Sequence, residues 1–237
     1  MNGLKGYNAN KLSTDATKLL FDYGIDLENR RIWLVEDISD TEFEAVAKAI
    51  KYFNDDEDRK HKPVEVIITS NGGCVEVMFA FYDLFRTSLS PIHTLIVGTA
   101  ASAAVLVAMC GHKRYATANS HLMHHSSKAF SDDLSEKELE SRASVIKSMS
   151  DRTYRLMAAH SYESEDWWRK AAQQDGERWF TAEEMLYHGI IDGILPCPPV
   201  PKIKRPSKPR KKKTDGNKNT KRQRKRPEVS EARKEQD

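Results

Sequence analysis

A single serine lies within the run VGTAASAAVLVAMCGHK, from Val97 to Lys113. Ser102 stands between Ala101 and Ala103, where a strand-like apolar run gives way to a helix-like one. The start of a helix has unpaired backbone N–H groups, and the helix dipole favours negative charge there. Ser102 could therefore be a nucleophile whose oxyanion is bound by the N–H of Ala103. From this run alone, an ordinary helix cap is the simpler interpretation, because serine commonly has that role.

A second turn of small residues, Asn71-Gly72-Gly73, follows the preceding strand-like run. Both turns are expected at the carboxyl edge of a sheet, where α/β proteins bind ligands. The N–H groups of Gly73 and Ala103 would together supply the two donors that an oxyanion hole requires. An ordinary tight turn uses the same glycines, so both interpretations stay open.

Three of the eight histidines fall in HLMHH, His121 to His125, at the end of an extended segment. In a strand, His121 and His125 share one face, whereas in a helix His121 and His124 do. A histidine at the sheet edge beside Ser102 could act as a general base. The run has no carboxylate or cysteine at ligand spacing, so we expect no metal.

The surrounding sequence alternates strand and helix patterns. Strands are expected at 30–38, 64–70 and 92–98, and helices at about 40–53, 75–85 and 102–110. KRYATANSHLMHH is interpreted as one extended segment, and a capping box at Thr181–Glu184 begins a last helix before the strand IIDGIL. The alternation predicts an α/β domain with a largely covered sheet.

A long, charged helix is expected at about 131–161. Its apolar residues form one stripe at helical spacing: Leu139, Ala143, Ile146, Met149 and Leu156. A helix of this length reaches roughly 40 Å, which is long for so small a sheet. It is either a projecting arm that meets a partner subunit or a helix lying across the domain surface.

Charge is distributed unevenly along the 237 residues. The segment Pro201–Asp237 holds 16 basic and 5 acidic residues, whereas the preceding 200 residues hold 22 basic and 30 acidic ones. Few apolar residues and dense like charge predict a disordered tail. Such a tail could contact nucleic acid or an acidic partner, or it could be a solvated extension without a specific partner.

Cys74, Cys110 and Cys197 form no C-x-x-C pair, which argues against a disulfide framework or a zinc site and favours a reducing compartment. No signal peptide is evident, and no apolar run approaches the ~18 residues of a membrane span. We expect a soluble, cytoplasmic protein without membrane contact. Without a P-loop, the chain should not hydrolyse ATP itself.

Four landmarks in order resemble the proteolytic subunit of the Clp protease (ClpP). They are SNGGCV (Ser70–Val75), G-x-A-A-S (Gly98–Ser102), N-S-x-x-M-x-H (Asn119–His125) and a closing segment from Glu177 to Asp192. The resemblance covers roughly Arg31 to Leu195. It implies an α/β, crotonase/ClpP-like fold with a projecting handle helix. The corresponding division is an N-terminal segment (1–29), a protease domain (30–196, handle at about 131–161) and a basic tail (197–237).

Carried over by position, the resemblance makes Ser102 the nucleophile and His125 the general base, with His124 as the alternative base. Gly73 and Ala103 become the oxyanion donors. The run ASAAV departs from the more usual A-S-M-G-A of the family, because a glycine is lost after the nucleophile.

The sequence departs most from the family's usual pattern at the third catalytic group. The family usually has aspartate where Glu177 stands, and a glutamate reaches one carbon further, about 1.5 Å. Glutamate can still orient an imidazole. Asp175, two residues earlier, is the alternative acid.

The resemblance implies a serine endopeptidase that acts on unfolded or threaded proteins inside an oligomeric chamber. Family members form heptameric rings stacked as a tetradecamer and receive chains from a separate AAA+ unfoldase, so the chain itself should need no cofactor. The segment WFTAEEM is more similar to the corresponding segment of phage-encoded members, some of which mature proheads. Such a protein would act in the host cytoplasm. Two further alternatives are an acyl-CoA-processing crotonase-fold enzyme and a catalytically inactive ring or scaffold component.

Overall fold

The computed structural model describes residues 14–126, 135–174 and 176–197. Within them the helices are α1 (Thr14–Tyr23), α2 (Asp40–Asp55), α3 (Val75–Thr87), α4 (Ala103–Met109), α5 (Glu136–Ala159), α6 (Glu165–Gln174) and α7 (Ala182–Tyr187). The strands are β1 (Ile25–Asp26), β2 (Arg31–Leu34), β3 (Val64–Ser70), β4 (Ile92–Ala101), β5 (Lys113–Thr117), β6 (His121–His125), β7 (Glu177–Thr181) and β8 (Gly193–Leu195). The α/β class predicted from the sequence is confirmed. The predicted basic tail lies outside the described residues, apart from Cys197.

The main sheet has the strand order β1-β2-β3-β4-β5-β8. Its strands run parallel from β2 to β8, and β1 is antiparallel to β2. The expected single extended segment after α4 is two strands, β5 and β6. They separate at Ser120, whose buried hydroxyl donates to the carbonyl of Ile96 at 2.9 Å. This break lets β6 pair with the far end of β4 and with β7.

One face of the sheet packs against α2, α3 and α4. All seven residues of α4 are buried, as are Phe53 of α2 and Phe81 and Phe85 of α3. On the opposite face, Trp33 and Tyr115 are only half-buried. In the same row of side chains, Ile67 and Leu95 lie between these two and are buried, so this face is covered at the central strands β3 and β4. The expectation of a largely covered sheet is therefore met on one face and at the centre of the other.

Helix α5 begins later than the sequence predicted. Ser135 is its N-cap and forms a capping box with Glu138, so the helix starts at Glu136 rather than at 131. Its 24 residues reach about 36 Å. Leu139 and Val145 are about half exposed, whereas Met157 is buried. The first half of α5 therefore projects from the domain, as the arm interpretation expected.

Two further properties concern the described residues alone. None of their helices combines the length and the apolar character that crossing a membrane requires. They also contain no group of three or more His, Cys, Asp or Glu side chains placed to hold a metal ion.

Candidate active site

Ser102 has an unusual backbone at the junction of β4 and α4. Its φ of 54° and ψ of −122° lie outside the regions that a non-glycine residue normally adopts. Its N–H donates to the carbonyl of Met123 at 2.8 Å. Its side chain makes no capping hydrogen bond to α4. The capping interpretation therefore lacks the bond that would define it, and the hydroxyl is left for another partner.

That partner is His125. Its Nε2 lies 2.8 Å from Ser102 Oγ, although 23 positions separate the two residues. The contact follows from strand pairing: β6 runs parallel to the end of β4, with Ala101 paired to Met123. His125, two residues beyond Met123, therefore reaches the serine that follows Ala101.

His124 lies on the other face of β6 because side chains alternate along a strand. It is 4% exposed, and its ring meets those of Tyr154 and Trp168 edge-on. Burial, together with the nearby charge of His125, lowers its pKa to about 4. The structure thus brings His125, and not the alternative base His124, to the hydroxyl of Ser102.

The Gly72-Gly73 turn lies directly against the serine. At Gly72, φ is +105°, and a Cβ there would stand 2.6 Å from Ser102 Cβ and 3.0 Å from the nitrogen of Ala103. Ile38 anchors the turn: its N–H donates to the carbonyl of Gly72 at 2.7 Å, and its carbonyl accepts from Cys74 N–H at 2.8 Å. Nothing in the sequence indicated this anchor, because the pattern at 30–38 predicts a strand and gives no sign of a contact with residue 73.

A cavity of about 210 Å³ opens beside the serine. Gly73, Ser102, Ala103, His124 and His125 contribute to its wall. The remaining lining residues come from α3, α4 and α5: Val75, Met78, Leu106, Ser150, Thr153, Tyr154 and Met157. The α5 residues were not predicted, although their spacing of three and four places them on one helix face.

The predicted third catalytic group, a carboxylate, is less well defined. Glu177 is the cross-strand partner of His125 in the antiparallel pair of β6 and β7. Its side chain is exposed, and among the described contacts it makes no hydrogen bond to the imidazole. Asp175 lies outside the described residues. The role of either carboxylate stays a prediction.

Chemically, the site combines a hydroxyl and an imidazole within hydrogen-bonding distance. Gly73 and Ala103, whose N–H groups are the predicted oxyanion donors, line the same cavity. An imidazole in that position can take the proton of an attacking hydroxyl. Backbone N–H groups nearby can stabilise the negative charge that develops on a carbonyl oxygen. Such an arrangement suits acyl transfer.

Comparison with known proteins provides evidence that is independent of the site geometry. A family model described as Clp protease matches residues 16–197. The chain is 28% identical over 172 residues to the ATP-dependent Clp protease proteolytic subunit 1 of Chlamydia pneumoniae, covering 71% of this chain and 88% of that protein. It is 29% identical over 182 residues to proteolytic subunit 2 of Frankia casuarinae, covering 73% and 81%. Proteolytic subunit 2 of Tropheryma whipplei is 29% identical over 173 residues, covering 71% and 92%.

Proposed function

The chain belongs to the Clp protease family and has its ClpP-like α/β fold, and from that membership we propose that it is a serine endopeptidase. Its substrates are unfolded or threaded proteins. The observation that carries the proposal is the 2.8 Å distance between Ser102 Oγ and His125 Nε2. The unusual backbone of Ser102 supports it, because strained residues concentrate at functional sites.

In the proposed reaction, His125 Nε2 accepts the hydroxyl proton of Ser102 as Oγ attacks the peptide carbonyl carbon. The N–H groups of Gly73 and Ala103 stabilise the oxyanion of the tetrahedral intermediate. The imidazolium then donates its proton to the leaving amine, and an acyl-enzyme remains on Ser102. Water, deprotonated by His125, attacks the ester and releases the acid product.

A carboxylate is proposed to orient the imidazole. Glu177 is the first candidate because it pairs with His125 across β6 and β7, and Asp175 is the second. The matched amide variants Glu177→Gln and Asp175→Asn separate them. Loss of the true acid should lower kcat by up to about 10⁴-fold, whereas loss of the other should change it little. Equal, small effects from both variants would show that no acid is needed.

The proposed enzyme is an oligomer. Leu139 and Val145 are large apolar residues, each about half exposed on the projecting half of α5, and a second subunit would cover them. We propose heptameric rings stacked through this helix, fed by a separate AAA+ unfoldase that alone uses ATP. Substituting Leu139→Glu should reduce the sedimentation coefficient of the assembly. An unchanged value would place the ring contact elsewhere.

The basic tail and the compartment are further parts of the proposal. The excess of 11 positive charges in Pro201–Asp237 supports a contact with nucleic acid or an acidic partner. DNA binding that weakens with salt and disappears on truncation after Pro196 would support a nucleic-acid contact. The free thiols of Cys74 and Cys110 support a reducing, cytoplasmic location.

The central test is labelling by a fluorophosphonate, which reacts only with an activated serine. Wild-type protein should be labelled and should cleave unfolded casein, whereas Ser102→Ala should lose both, with turnover falling on the order of 10⁶-fold. His125→Ala should lose most of both activities. A size measurement on each variant verifies assembly. Intact assembly without labelling of the wild type would favour an inactive scaffold or a hydratase of related fold.

A further inference from the structure

Two consecutive glycines form the turn that faces Ser102, and glycine is the residue with the greatest backbone freedom. Gly73 has a φ of +149°, in a region that other residues rarely adopt. A hydrogen-bond donor on such a turn serves the proposed reaction only if its direction is fixed before the substrate arrives. The peptide between Gly72 and Gly73 therefore needs to be held from outside the turn.

Ile38 holds this peptide through main-chain hydrogen bonds. Its N–H donates to the carbonyl of Gly72 at 2.7 Å, and its carbonyl accepts the N–H of Cys74 at 2.8 Å. This is the bonding pattern of a parallel bridge between Ile38 and Gly73. The N–H of Gly72 is fixed separately, because it donates to Ser70 Oγ at 3.1 Å.

The bond to the carbonyl of Gly72 also sets the direction of the next N–H group. The peptide between Gly72 and Gly73 is trans, so its C=O and its N–H point in opposite directions. Because the C=O points to Ile38, the N–H of Gly73 points away from Ile38. Within the described part of the chain, that N–H donates to no group. Gly73 itself is exposed and lines the cavity beside Ser102.

Ile38 is itself held firmly in place. Its side chain is 1% exposed and belongs to the core. The next residue, Ser39, is the N-cap of α2, and its side chain accepts the N–H of Glu42 at 3.4 Å. A buried side chain and a capped helix directly after it leave the main chain of Ile38 little freedom. Ile38 is therefore a rigid support for the glycine turn.

We propose that the main chain of Ile38 is a positioning group of the reaction. By holding the carbonyl of Gly72, it aims the N–H of Gly73 at the oxyanion that forms when Ser102 attacks the substrate carbonyl. The inference rests on the proposed function, and Ile38 makes no contact with the substrate in it. Because the oxyanion exists only after the attack, loss of this alignment should lower kcat and leave KM nearly unchanged.

Two variants disturb this contact, one from each side. Ile38→Pro removes the N–H that holds the carbonyl of Gly72, whereas the matched change Ile38→Val keeps it. Gly73→Ala keeps its own N–H, but its Cβ would stand 2.5 Å from the carbonyl oxygen and 2.8 Å from the nitrogen of Ile38. Gly24→Ala controls for the strain of alanine at a positive φ, since its Cβ would stand 2.9 Å from another carbonyl oxygen, that of Trp33.

The test compares a peptide ester with its thionoester, in which sulfur replaces the carbonyl oxygen, hydrolysed by the full chain. Sulfur is larger and a weaker hydrogen-bond acceptor than oxygen, so the ester gains more from an aligned donor. A variant that is only less stable loses activity on both substrates equally, and the ratio of their kcat/KM values does not change. We expect Ile38→Pro and Gly73→Ala to lower kcat on the ester by about 10²–10³-fold and the ratio by at least about tenfold. Ile38→Val and Gly24→Ala should keep the wild-type ratio.

Urea unfolding of each variant shows whether it is folded. If Ile38→Pro does not fold, Gly73→Ala decides alone: an unchanged ratio in that variant overturns the proposal. An equal fall of the ratio in Gly24→Ala overturns it as well, because strain far from the site would then suffice. Ester hydrolysis that persists in Ser102→Ala refutes the proposed function and, with it, the oxyanion that Ile38 serves. If Ser102→Ala is inactive and the ratio stays unchanged in the other variants, the role of Ile38 alone is refuted.

Discussion

Gly72→Ala is the sharpest perturbation of the site. The added Cβ would stand 2.6 Å from Ser102 Cβ, 2.7 Å from the carbonyl oxygen of Ala101 and 3.0 Å from the nitrogen of Ala103. None of these atoms can move away by a side-chain rotation. Either the glycine turn or Ser102 and the neighbouring N–H of Ala103, the proposed oxyanion donor, must therefore shift.

The size of the effect can be worked from these contacts. Alanine at φ +105° carries about 1–3 kcal/mol of backbone strain, which lowers the free energy of unfolding by that amount. A displacement of about 1 Å at the reacting groups costs about 10²-fold in rate. Loss of one oxyanion donor costs about 10²–10³-fold. We therefore expect kcat/KM to fall by about 10²–10³-fold.

The assay is steady-state hydrolysis of a fluorogenic peptide, with urea unfolding of the same preparation. Gly24→Ala is the matched control, because Gly24 also has a positive φ (+64°) and its Cβ would lie 2.9 Å from the carbonyl oxygen of Trp33, in the turn between α1 and β1. It should lose comparable stability but retain kcat/KM within about threefold. If the two variants lose activity equally, or if Gly72→Ala is fully active, the argument from contact with Ser102 is wrong.

Three predictions concern stability, each measured by urea unfolding. His124 should remove up to about 3 kcal/mol from the free energy of unfolding as the pH falls from 6.5 to 4. Burial lowers its folded pKa from 6.5 to about 4, so the unfolded chain binds the proton first. A pH slope that is unchanged in His124→Leu would contradict this. Arg114→Lys should lower the free energy of unfolding by about 1–2 kcal/mol. Lysine cannot reproduce both the two-nitrogen contact with Asp192 and the hydrogen bond to the carbonyl of His160. An unchanged unfolding midpoint would show that these contacts contribute nothing to stability. Thr181→Ala should lose about 1 kcal/mol with the cap of α7, and Thr181→Ser should retain it; equal losses would point away from the hydroxyl.

Strands and helices that are marked by an apolar run or a capping box were predicted correctly from the sequence. Strand β3 has the bounds predicted for it, Val64–Ser70, because its apolar run is almost uninterrupted. Helix α7 begins where the capping box at Thr181 predicted. The expectation that His121 and His125 share a face is likewise confirmed, since it needs only that HLMHH be a strand.

Features that depend on contacts between segments far apart in the chain could not be predicted from the sequence. Strand β7, ERWFT, carries two charged residues in five and, among the described strands, pairs only with β6. The anchoring of the glycine turn by Ile38 joins segments more than thirty residues apart. The polar side chains of α5 that line the cavity are also placed there by tertiary packing. Periodicity identified a different stripe of α5, which includes Met149 and Leu156, and gave no sign that Ser150, Thr153 and Tyr154 line a cavity beside Ser102.

The structure around Ser102, the proposed nucleophile, explains why the run ASAAV can lack the glycine that is usual in the family. Among the described residues, Arg30 and Ser102 alone have a positive φ without being glycine, so Ala104, which stands at the lost glycine, needs no special backbone freedom. Its methyl group is completely buried inside α4, every residue of which is buried. The strain of a positive φ falls on Ser102 itself, where it is offset by the bond from its N–H to Met123 and by the rigid helix that follows. The close approach that only glycine permits lies on the facing turn, at Gly72. The family's glycine within α4 can therefore be replaced without disturbing Ser102, the proposed nucleophile, whereas Gly72 cannot.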